Sequence, residues 1–243
     1  MAFLWLLSCF AFIGASYGSR DPASEPELSI VPRIINGKDA GSSSSPWHVS
    51  LENSSGKLIC GGSLINRNWV ITAAHCRVRV YDWVVAGLHD RRAYGNKIQF
   101  LKIGKIFRYP EFNISTFYGD FALLKLITQV NFQRTVSAIA LPSVDDRFSA
   151  GSQCKIVGWG HTRRHGKKRP DKLQEATVPI LNKVECQEYW GHRMSSDMIC
   201  VGANGVSCWK GDVGGSLVCK KKGVWTLVGI MVVALRPLPA NRS

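Results

Sequence analysis

No apolar stretch in this chain reaches the roughly 20 residues that a membrane-spanning helix needs. The two nearest approaches run from Ala2 to Ala15 and from Val224 to Leu235. The second passes into the polar tail RPLPANRS, not into the hydrophobic end of a lipid-anchor signal. No membrane partner is expected. The six histidines are scattered, with no HExxH or other tight ligand spacing, so neither a metal nor a cofactor is expected. No amphipathic run with a 3.6-residue period and no fixed-period repeat occurs, which argues against helical bundles and solenoids. Carboxylates are scarce, 17 Asp and Glu against 31 Lys and Arg, for a formal net charge of +14. No nucleic-acid motif or aromatic interleaving accompanies the basic segments, so no nucleic-acid partner is expected.

What is present begins with a leader. Residues 1–18 are almost wholly apolar and end in Ser16, Tyr17 and Gly18, with small residues, Ser16 and Gly18, where a signal peptidase needs them despite the lack of an early Lys or Arg. Cleavage after Gly18 removes Cys9 and leaves Cys60, Cys76, Cys154, Cys186, Cys200, Cys208 and Cys219. That odd number permits at most three intramolecular bridges and one leftover thiol, in a chain read as secreted and extracellular. Sequons at Asn53, Asn113 and Asn241 fit the same route. Much of the excess charge is local: Arg163, Arg164, Lys167, Lys168 and Arg169 crowd one segment, and Lys220 to Lys222 form another. Such a loop can hold an acidic partner, although a solvated loop is the default reading.

Short apolar or alternating runs, among them KLICGGSLI, NWVITAA, WVVAGL, IQFLKIGKIF, FALLKL, CKIVGWG and WTLVGIMVV, recur between turn residues. The class is all-β. Periodicity leaves barrel and sandwich both open, and leaves a secreted binding module as reasonable as an enzyme.

Three motifs narrow this. His75 stands in TAAHC, after a strand-like run. Asp120 precedes FALLKL, where a buried carboxylate needs a partner to offset its desolvation, and His75 is a candidate. GDVGG spans Gly211 to Gly215. Together with IING after Arg33, CGGSLI and GWG, in this order and spacing, these segments resemble the chymotrypsin-like serine peptidases of the trypsin family, the chymotrypsinogens above all. GDVGG is similar to that family's GDSGGP.

The resemblance implies two antiparallel β-barrels with a cleft between them. The leader at 1–18 and a propeptide at 19–33 precede a peptidase-like domain at 34–243, with barrels at about 34–145 and about 146–243. His75 is then the base, Asp120 its orienter, and Gly211 and Val213 donate the oxyanion N–H groups. Ser207 lies at the floor of the specificity pocket. Cutting after Arg33 frees an amino terminus at Ile34 to pair with Asp212. The implied bridges are Cys60 with Cys76, Cys154 with Cys219 and Cys186 with Cys200, leaving Cys208 as the free thiol.

Departures from the family pattern matter as much. Val213 stands where the nucleophilic serine belongs, and Val232, Val233 and Ala234 replace the substrate-pairing Ser-Trp-Gly. The chain stops early against the family pattern, so an incomplete second barrel without the C-terminal helix is expected. Ser19 and Ala140 stand where a prosegment cysteine and its partner are found, and Leu58 replaces the zymogen histidine. The expected function is that of a serine-protease homologue that binds a peptide, an inhibitor or an acidic partner without cleaving. The alternatives are a serine-type endopeptidase and the translation of a decayed gene.

Overall fold

The computed structural model describes residues 37–160, 169–190, 195, 197–202 and 212–232. Within them the short apolar runs become strands, and helix is scarce. The described chain enters through β1 (Lys38–Asp39) and continues into β2 (His48–Glu52), β3 (Leu58–Leu64), β4 (Trp69–Thr72), β5 (Trp83–Ala86), β6 (Gln99–Arg108) and β7 (Ala122–Leu126). Strands β2 to β7 close a barrel in the order β2-β3-β4-β7-β6-β5, every pair antiparallel. Alternation sends Ala122, Leu124 and Leu126 of β7 inward, with Leu101 and Ile103 of β6. Leu101, Ile103, Leu124 and Leu126 meet Val49, Leu51, Leu64, Val70 and Val84 in one core. Each such side chain contributes roughly 1.5–3 kcal/mol when fully buried.

The second half is a five-stranded sheet of order β1-β9-β8-β10-β11. Its members are β8 (Gln153–Gly158), β9 (Gln174–Pro179), β10 (Ser216–Lys221) and β11 (Val224–Ile230), with β1 on the outer edge of β9. Lys38–Asp39 therefore joins the second sheet although it precedes the first barrel in sequence. Among the described residues this sheet is open. Residues 233–243 lie outside the described residues, as do the leader at 1–18 and the propeptide at 19–33. The architecture is all-β, one closed barrel and a second sheet.

Among the described residues one α-helix, α1 (Lys183–Trp190), interrupts the second half. Asn182 Oδ1 accepts the Glu185 backbone N–H and a Glu185 carboxylate oxygen accepts that of Asn182, both at 2.9 Å. This reciprocal cap satisfies two of the donors that a helix start leaves open. Among the described residues three disulfides tie the chain: Cys60–Cys76 in the first barrel, Cys154–Cys219 between β8 and β10, and Cys186–Cys200 from α1.

Strand β2 is buried on both faces. Val49 and Leu51 fill the barrel, while alternation sends His48, Ser50 and Glu52 to the other side, which is covered rather than wet. Trp47 Nε1–H donates to Ser216 Oγ at 3.0 Å, and the Lys155 ammonium donates to Ser44 O at 2.8 Å and Ser45 Oγ at 3.0 Å. Strand β2 and the loop before it thus meet strands β8 and β10.

Candidate active site

His75 sits in a single 3₁₀ turn, Ala74–Cys76, immediately after β4. Small residues, Ala73 and Ala74, let this turn press into the barrel wall, where both are buried. The Cys60–Cys76 bridge fixes its far side to β3. Arg77 ends it in the left-handed region, φ 51°, donating its N–H to Ala74 O at 3.1 Å.

Asp120 reaches the same turn from the segment before β7. Its Oδ1 accepts the backbone N–H of His75 at 2.8 Å, and its Oδ2 bonds the imidazole Nδ1. The Asp120 side chain is 1% exposed and that of His75 20%. A buried carboxylate thus holds the ring by Nδ1, and Nε2 is the ring nitrogen that Asp120 does not engage. Phe117, at φ 58°, lays its ring edge-on to the imidazole with centroids 5.4 Å apart.

The turn Asp212–Gly215 comes from the second half and locks onto the first. Val213 O accepts the Gly61 N–H of β3 at 2.8 Å. Gly214 N–H donates to Met231 O at 2.7 Å, and Gly215 N–H to Asp212 O at 2.9 Å. Gly214 has φ +79°, and a Cβ there would run into Gly61 O and Thr72 Oγ1, so only glycine fits this close approach. Thr72 Oγ1–H also donates to Gly61 O at 2.8 Å. Thr72 closes β4 just ahead of the His75 turn, so the Val213 turn abuts the wall from which His75 emerges. The Val213 side chain is half-buried and packs against the first-barrel core. Asp212 is buried, and its Oδ1 accepts the Gly160 N–H at 2.8 Å. Arg169 donates to Leu58 O at 3.2 Å. Burial, set against the nearby negative charge of Asp212, leaves its guanidinium pKa below the ordinary value.

The family model described as Trypsin matches residues 34–237. This chain belongs to the trypsin family. The trypsin-family match takes in the closed barrel, the second sheet, the His75–Asp120 pair and the Val213 turn together, so the protein is a chymotrypsin-like protease homologue. Three disulfides suit the oxidising environments in which such domains fold.

Arg33, Ile34, Ser207, Cys208 and Gly211 lie outside the described residues, as do residues 161–168 of the basic segment. Sequence reasoning passed over His48. Its imidazole is buried, its ring centroid 5.2 Å from that of Trp159, and a Cβ added at Gly61 or Gly215 would meet its Cε1. Neither ring nitrogen has a hydrogen-bond partner among the described residues. Burial, aided by the Lys155 ammonium, pushes its pKa down from 6.5 to about 3. The signal was available in HVSLE, whose alternation marks a polar face; what a single strand does not announce is that a second sheet covers that face.

Proposed function

We propose that this chain is a secreted trypsin-family homologue that binds peptide-like partners beside His75 without cleaving them. The observation that carries the reading is Val213. A nucleophile in acyl transfer needs an oxygen or sulfur lone pair and a proton that a neighbouring base removes. Valine has neither, so the imidazole, though oriented by Asp120, has nothing to activate. Loss of the nucleophile alone lowers turnover by about 10⁶ in a serine peptidase. The backbone N–H of residue 213 does not depend on its side chain, so a carbonyl oxygen can still be received there. This favours a binder that keeps part of the family's recognition surface. The leader at 1–18 supports export, and amino-terminal sequencing of the medium form should begin at Ser19 or, after processing, at Ile34.

The intact His75–Asp120 pair favours a second reading, a residual serine-type endopeptidase. One experiment separates the two. Protein cut after Arg33 is incubated with an aromatic ester and an aromatic amide, beside a His75→Ala control. Turnover equal to the control supports the binder; turnover clearly above it supports the enzyme.

A further inference from the structure

Strands β4, β5, β6 and β7 contain no Asp or Glu, yet their outward positions set lysine beside aromatic rings. The register puts Trp83 directly opposite Lys102, and Lys105 directly opposite Lys125, which in turn faces Trp69. A bulge in β6 after Ile103 shifts the alternation by one residue. Lys102 and Lys105, which a regular strand would send to opposite faces, therefore both emerge into solvent.

Each ammonium lies over a ring. Lys102 is 3.3 Å from the Trp83 centroid, Lys105 is 4.8 Å from that of Phe107, and Lys125 is 5.9 Å from that of Trp69. Like charges directly across a strand pair destabilise it, and Lys105 opposite Lys125 is such a pair. Among the described residues none of the three lysines has a carboxylate within ion-pair distance. Glu52, opposite Trp83 in register, is buried and accepts the Ser50 hydroxyl at 2.7 Å. The sheet thus holds a fixed, unneutralised row of cations whose mutual repulsion an external anion would relieve.

We propose that the outer face of β4–β7 binds a sulfated polysaccharide through Lys102, Lys105 and Lys125. A linear chain with closely repeated anionic groups matches charges spread in a row across adjacent strands. A bilayer fits less well, because Trp69 and Trp83 are half-buried beneath ammoniums and the exposed aromatic surface of these strands is confined to Phe100 and Phe107. Most of the interleaving is invisible along the sequence, because Lys102 meets Trp83 and Lys125 meets Trp69 across strands, and only Lys105 and Phe107 share one. The proposal stands apart from the catalytic question, since none of these side chains belongs to the His75 site.

The test uses the full chain on immobilised heparin, eluted by a salt gradient. Replacing Lys102, Lys105 and Lys125 by Gln together should weaken heparin binding by roughly tenfold or more at physiological salt, through lost counterion release. The corresponding triple Arg variant should bind as the parent does. A variant with Arg163, Arg164, Lys167 and Lys168 changed to Ser should keep most of the affinity. Near-ultraviolet circular dichroism checks that each variant is folded, and the single Lys125→Gln, expected to weaken binding to a smaller degree, stands in if the triple Gln variant is not. Failure of the parent to bind, full retention by the lysine variants, or loss confined to the Ser variant would overturn the proposal. So would lysine-dependent sedimentation with phosphatidylserine vesicles that heparin does not compete away.

Discussion

Asp120 grips His75 at two points, taking its backbone N–H on one carboxylate oxygen and its imidazole on the other. A single buried side chain thereby sets both where the histidine turn sits and how its ring is turned. Replacing Asp120 by Ala leaves the His75 N–H without its acceptor, and an unsatisfied buried donor costs about 1–3 kcal/mol. Asp120→Asn keeps an acceptor and should cost less. Urea unfolding followed by tryptophan fluorescence checks this ordering; equal midpoints for parent and Ala variant would contradict it.

His48 makes stability depend on pH in a defined direction. In the unfolded chain its imidazole takes a proton near 6.5, whereas in the folded protein burial, with the Lys155 charge, holds it off until about 3. Between those values the unfolded state carries the extra proton, so stability falls as pH falls, and above the window both states are neutral. From pH 7 to pH 5 the share belonging to His48 is on the order of 2 kcal/mol. The His48→Gln variant should lose that much less than the parent over the same interval. Identical pH dependence in the two proteins would show that His48 is not buried neutral.

The disulfides give a graded expectation. Cys60–Cys76 spans 16 residues and Cys154–Cys219 spans 65. In the loop-closure account, removing the first bridge costs about 3 kcal/mol and the second about 4. Paired Cys→Ala variants compared by chemical unfolding check the order. Thiol titration in denaturant without reductant adds a count. Six cysteines are bridged among the described residues, the other two, Cys9 and Cys208, lie outside them, and the family resemblance implies that Cys208 is free. The processed form should titrate one thiol per chain and the unprocessed form two.

The fold class and the family were legible in the sequence because strand alternation and ordered motifs are local signals. FALLKL and KLICGGSLI supply core residues at the spacing a strand demands, and β7 and β3 form there. Periodicity did not choose a barrel over a sandwich, since both bury one face of each strand. His75 and Asp120 lie 45 residues apart, so only resemblance, and not spacing, connects them. Cysteine partners are equally unmarked by sequence. The rest depends on what one element does to another. β1 is too short to carry a pattern, α1 is too short to show a helical period, and His48 looks solvent-facing until a second sheet lies over it. The β6 bulge that brings Lys102 and Lys105 to one face follows from pairing with β7, which no single strand records.

The central claim concerns the side chain at residue 213, and intact mass after treatment with a fluorophosphonate tests it most directly. Protein cut after Arg33 should show no adduct beyond that of its His75→Ala counterpart, because an aliphatic group cannot be phosphonylated. A stoichiometric adduct that disappears in the His75→Ala protein would mean that another oxygen serves as nucleophile, and would contradict the account.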